Sequence, residues 1–159
     1  MKLEGSCHCG AVRFTVESPE PYPYNRCYCT ICRKTQGGGG YAVNLGARSE
    51  SLTVEGRDAV TVYQARNDDF EDGLSPLRRH FCGKCGSGLW CYDPRWPDLV
   101  HPFASAIDTP LPTPPEYVHL MVRYKAPWCE TEGKDNDPQF DEYPSESLAE
   151  WHEKRGLTC

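Results

Sequence analysis

The chain has 159 residues, the usual size of one domain, with a hydrophobic fraction of 38% and 14 residues each of Gly and Pro. That composition leaves a lean core and much turn, and no apolar run approaches the roughly 20 residues of a membrane span. A net charge of −6 argues against nucleic-acid binding through a general basic surface.

In chain order, Met1-Lys2-Leu3-Glu4-Gly5-Ser6 lacks the apolar core of an export signal, so the expected location is the cytoplasm, where thiols stay reduced. Ala11 to Val16 alternates apolar and polar residues and reads as a strand. Tyr41 to Leu45, Ser51 to Glu55 and Ala59 to Ala65 are further strands, the last two joined as a hairpin around Gly56-Arg57-Asp58. Gly37 to Gly40 lacks a preceding strand and a Gly-Lys-Ser/Thr ending, so it is read as a loose turn rather than a phosphate loop or a close approach. Asn67 to Ser75 is an acidic, exposed loop. Gly88 to Tyr92, Leu99 to Ile107 and Tyr117 to Tyr124 complete the strands, and Pro110, Pro112, Pro114 and Pro115 exclude regular structure between the last two. Ser147 and Glu150 fit the capping box of a short C-terminal helix that Gly156 can end. The expectation is a mainly β fold with that helix on its outside.

Seven of the ten cysteines fall in three groups: Cys7 and Cys9; Cys27, Cys29 and Cys32; Cys82 and Cys85. Clustered thiols in a reducing compartment read first as metal ligands. Four thiolates close a tetrahedral zinc site, whereas three leave a position for water or substrate, and seven ligands divide as four plus three. Gly83 and Gly86 shape a knuckle around Cys82 and Cys85, and Gly10 follows Cys9, so these two pairs can grip one ion from opposite sides. The middle group then binds a second ion alone. Another Cys, His8 or His80 could instead complete a second closed site, and thiolates alone do not choose zinc over iron. Cys91 reads as core, Cys129 as part of a loop and Cys159 as free.

Three stretches resemble the glutathione-dependent formaldehyde-activating family, which includes centromere protein V: Gly5 to Phe14, Cys27 to Lys34, and Arg78 to Ser87. Lys125-Ala126-Pro127-Trp128 also looks like the family, and the likeness runs over residues 3–130. The resemblance implies coiled β-sheets stapled by zinc, with residues 1–130 as the zinc-binding domain; residues 131–159 are read from their own sequence as an extension whose helix packs on it. The resemblance implies two Zn²⁺ per chain: a structural one on Cys7, Cys9, Cys82 and Cys85, and a catalytic one on Cys27, Cys29 and Cys32. It also implies a carbon–sulfur lyase handling S-hydroxymethylglutathione, the adduct of glutathione and formaldehyde.

The expected partner is therefore a small thiol or aldehyde, with no nucleic acid or membrane. Arg33, Lys34 and Arg79 are candidates to attract glutathione carboxylates, and Trp128 and Tyr41 to wall the pocket. No acid–base residue stands out, although His80 is a possible proton relay. The competing reading is a zinc-stabilised protein-interaction module without catalysis.

Overall fold

Lys2–Ser6 and Arg13–Glu17 alternate buried and exposed residues and pair as an antiparallel hairpin, β1 and β2. The computed structural model describes residues 1–36, 38–131 and 136–157. The chain continues through β3 (Tyr24–Cys27), α1 (Thr30–Gln36), β4 (Ala42–Asn44), β5 (Ala47–Arg48), β6 (Thr53–Glu55), β7 (Val60–Arg66) and β8 (Leu74–Cys82). It ends with β9 (Gly88–Tyr92), β10 (Leu99–Pro102), β11 (Tyr117–Leu120) and α2 (Leu148–Lys154). The mainly β class with a short C-terminal helix is borne out.

The strands form three sheets, ordered β1-β2-β6, β5-β10-β9-β8-β7 and β11-β3-β4. The main core lies where the first sheet meets the second, with Leu3, Phe14 and Val16 packed with Leu89, Trp90 and Val100. Phe14 meets Trp90 edge-on at 5.2 Å, and each ring contributes about 2–3 kcal/mol by leaving water. Gly5 permits this approach, because a Cβ there would fall 2.4 Å from the Phe14 ring and 2.6 Å from the Ala106 carbonyl.

Several expectations change. The segments flanking Gly56 are not a hairpin: β6 pairs with β2 and β7 pairs with β8, so the connection crosses between sheets. Gly56 makes that crossing at φ 72°, where a Cβ would lie 1.9 Å from the Ala11 carbonyl oxygen. The acidic loop ends early, since β8 begins at Leu74. The two later strands are shorter than expected; each gives way to a 3₁₀ turn, Ala104–Ala106 and Val122–Tyr124. Gly37 lies outside the described residues. Residues 38–40 form a turn as expected, but it is not loose at Gly40, where φ is 86° and a Cβ would meet the Cys129 sulfur at 2.6 Å.

The C-terminal segment is held at two places. The Ser147–Glu150 capping box forms with both of its bonds, and Gly156 ends the helix at φ 63°. Trp151 and His152 are buried; the Trp151 Nε1–H donates to Glu116 at 2.7 Å and the His152 Nε2–H to the Tyr22 carbonyl at 2.6 Å. Before the helix, residues 138–142 run along β11 and past its end. His119 N–H donates to Pro138, Phe140 N–H to His119 and Met121 N–H to Glu142, at 2.8–2.9 Å. Among the described residues, no helix is long and apolar enough to cross a membrane.

Candidate metal centres

The β1–β2 turn carries Cys7 and Cys9, and the β8–β9 knuckle carries Cys82 and Cys85. Antiparallel pairing within each sheet and the core between the sheets bring the two turns together. All four sulfurs lie within 4.8 Å of one another. Cys7 and Cys9 are 3.6 Å apart, and Cys9 and Cys82 are 3.8 Å apart. Tetrahedral zinc with Zn–S bonds near 2.3 Å requires sulfur separations of about 3.8 Å, so this donor set fits the ion.

The surrounding backbone orients these sulfurs. Val12 N–H donates to Cys7 Sγ at 3.2 Å, and this bond lowers the Cys7 pKa against the opposing effect of burial. Ser87 bonds Cys85 at 3.3 Å and accepts from His8 N–H at 3.1 Å, tying both turns together. Hydrogen bonds from the Ser87 side chain and backbone hold Cys85 down to about 5. Gly86 makes the knuckle at φ 75°.

The second cluster lies where β3 runs into α1. Cys27 ends the strand, Cys29 precedes the helix and Cys32 is in its first turn. Their three sulfurs also lie within 4.8 Å of one another. Cys27 and Cys32 are buried, while Cys29 is half-buried. The Cys32 N–H donates to Cys29 Sγ at 3.3 Å, as it would to a helix N-cap. Hydrogen bonds from the Cys27 and Cys32 thiols hold Cys29 down to about 2 despite burial, and the same contacts push Cys27 far up. The three thiols are thus coupled through shared protons, which a bound metal ion would displace. Among the described residues, no histidine or carboxylate completes either cluster.

Of the four residues expected in a substrate pocket, Arg79 makes a direct contact with a sulfur. It is buried in β8, and its guanidinium donates to Cys32 Sγ at 3.5 Å. Burial alone would lower the Arg79 pKa, but the charge and hydrogen bond of Cys32 raise it overall, so the guanidinium stays charged. Among the described residues, its buried Nε and Nη1 have no hydrogen-bond partner. Arg33 and Lys34 lie in the last turn of α1, Lys34 exposed. Trp128 is 65% exposed and passes over Gly40. Tyr41 packs on Tyr28 at 5.2 Å and under Arg26 at 5.0 Å. His80 stacks on Trp90 at 5.0 Å and belongs to neither cluster, so nothing in its packing makes it a relay at the sulfurs. Cys91 is buried as expected; Cys129 is buried too, its thiol donating to Gly39 O at 3.1 Å. Cys159 lies outside the described residues.

Sequence reasoning missed Tyr143 and Arg95. Tyr143 follows Glu142, whose carbonyl is bonded to Met121, and Met121 packs against the second cluster. Tyr143 is 71% exposed, and partial desolvation and the nearby sulfurs of Cys27 and Cys29 push its phenol up, with Arg95 opposing. Arg95 is itself fixed by Asp93, at 2.7 Å. The Asp93-Pro94-Arg95 turn is a readable signal; Tyr143 has none, because only the path of the extension brings it there. Two grooves, of about 490 and 510 Å³, lie on sheet faces and include neither cluster.

Fold and site together define a mainly β protein with a four-cysteine and a three-cysteine cluster, each suited to a metal ion. The model of the glutathione-dependent formaldehyde-activating enzyme family matches residues 2–123. A Halomonas elongata protein, provisionally named a glutathione-dependent formaldehyde-activating enzyme, is 60% identical over 157 residues, covering 99% of this chain and 98% of its own. The chain belongs to the glutathione-dependent formaldehyde-activating enzyme family. A crystal structure of a Rhodobacter sphaeroides protein is similar, with 29% identity and a TM-score of 0.54 over 70% of this chain and 92% of that one.

Proposed function

We propose that this chain is a zinc-dependent carbon–sulfur lyase of the cytoplasm that makes or breaks the adduct of a thiol, glutathione in the first instance, with formaldehyde. Cys7, Cys9, Cys82 and Cys85 hold a structural zinc, and Cys27, Cys29 and Cys32 hold a catalytic one. The observation that carries this reading is the contrast between four converging sulfurs and three, the latter with a half-buried member. The catalytic ion supplies a vacant position that can hold a thiol as thiolate or polarise a carbonyl oxygen.

The chain's own residues provide the rest. In the adduct-forming direction one S–C bond forms, the carbonyl π pair moves to oxygen and the thiol proton ends there. Arg79 balances the single negative charge that three thiolates leave around Zn²⁺, through its contact with Cys32. Tyr143, still protonated, offers an O–H donor beside the cluster, and Arg95 offers charge for a substrate carboxylate. Residues 1–130 form the zinc-binding domain, and the extension after them completes the rim.

The test is metal analysis combined with turnover. Purified protein should hold two zinc per chain and consume glutathione with formaldehyde. Two zinc without turnover on glutathione or other small thiols would leave the fold intact and remove this function.

A further inference from the structure

The residue between the first two ligands of the open cluster belongs to a buried polar chain that the proposed chemistry does not use. Tyr28 lies between Cys27 and Cys29 and is fully buried, packed with Ala126 and Cys129. Its backbone N–H extends the β3–β11 ladder by donating to Leu120 O at 3.0 Å. Its hydroxyl bonds His119 Nδ1 at 2.8 Å, and the two rings stack at 5.7 Å. His119, also fully buried, sits in β11 between β3 and the extension. Across its ring, Nε2 faces the Asp137 carboxylate at 3.8 Å, and Asp137 is itself fixed by Tyr117 N–H at 3.0 Å.

We infer that Tyr28, His119 and Asp137 form a brace that sets the spacing of Cys27 and Cys29 and thereby the affinity of the three-cysteine cluster for its ion. A phenylalanine would fill the Tyr28 site but leave the buried His119 Nδ1 without this bond, so the hydroxyl serves stability as well as position. A directional bond supplies what apolar packing does not: it fixes the depth and rotation of residue 28, and with them the peptides carrying both flanking sulfurs. Groups that hold ligands in place from behind commonly change metal affinity 10–100-fold when removed. With Tyr28 donating to Nδ1, the imidazole carries its hydrogen on Nε2, facing Asp137. At 3.8 Å this last contact is electrostatic rather than a hydrogen bond. Asp137 and Pro138 lie beyond residue 123, where the family match ends, so the extension is wired to the ion site.

This inference rests on the reading that the open cluster holds zinc, and the experiment separates the two. Second-ion affinity is measured by competition with a chromophoric chelator, and the cobalt-substituted protein is examined for its d–d spectrum. Tyr28→Phe should bind the second ion 10–100-fold more weakly and shift that spectrum, while the affinity for the first ion stays close to wild type; the thermal midpoint falls modestly, because His119 Nδ1 loses its partner. Asp137→Asn should act in the same direction with a smaller effect, and the double variant should lose less than the two losses combined. If Tyr28→Phe is not recovered folded, Asp137→Asn carries the test alone. Wild type with two ions and variants within twofold of it would overturn the brace only. A single ion in wild type would overturn the zinc reading, and the brace with it.

Discussion

Replacing Cys82 by alanine is expected to unfold the protein, whereas replacing Cys29 is not. Cys82 is fully buried at the end of β8, 3.8 Å from the sulfur of Cys9, a residue 73 positions away in the chain. Closing a loop of that length costs about 4 kcal/mol. Losing the buried sulfur itself removes on the order of 1 kcal/mol. The larger loss is the ion: structural zinc contributes on the order of 10 kcal/mol in small peptides, and a domain has about 5–15 kcal/mol in all. With its fourth ligand gone, the junction of the first two sheets depends on the lean apolar core alone. Cys29 belongs to a local cluster at the start of α1, so Cys29→Ala should lose one ion per chain and keep a cooperative urea transition. Near-UV circular dichroism and metal counting on the two variants decide the matter. A wild-type urea midpoint in Cys82→Ala, or equal collapse of both variants, would refute the division of roles.

Gly40→Ala should be destabilised by about 1–3 kcal/mol in urea unfolding, since φ 86° and the Cys129 sulfur 2.6 Å from the new Cβ both oppose it; no measurable loss would mean the loop relaxes freely. Arg79→Met should bind the second ion about tenfold or more weakly in chelator competition, because Cys32 loses its guanidinium. Burial holds His101 below the ordinary imidazole range, so its contribution is present above the unfolded value near 6.5 and is lost as pH falls below it. Accordingly, urea stability measured with excess zinc should fall between pH 7.5 and 6.0, and less steeply in His101→Gln than in wild type.

The three cysteine groups were legible because ligand spacing is local chemistry, as was the capping box of α2; the joining of Cys7 and Cys9 to Cys82 and Cys85, with Cys82 standing 73 positions beyond Cys9, was read from the flanking glycines and the family resemblance. The β8 strand was hidden because its sequence carries Pro76 and the Arg78-Arg79 pair, which read as surface. Arg79 is nevertheless buried, since its partner is a sulfur supplied by another element. The β3 strand escaped because it pairs in parallel with β11, more than 90 residues later, and carries no apolar alternation of its own. Tyr143 and Asp137 were invisible for a related reason: their importance comes from where residues 138–142 lie along and beyond β11, which no periodicity announces.

The two clusters also differ in when the ribosome supplies their ligands. Cys27, Cys29 and Cys32 emerge within six residues, so a complete donor set is available almost at once. Cys7 and Cys9 must wait for Cys82, a delay of about 4–15 s at ordinary synthesis rates. During that interval the early pair is open to oxidation or to capture by the wrong ion.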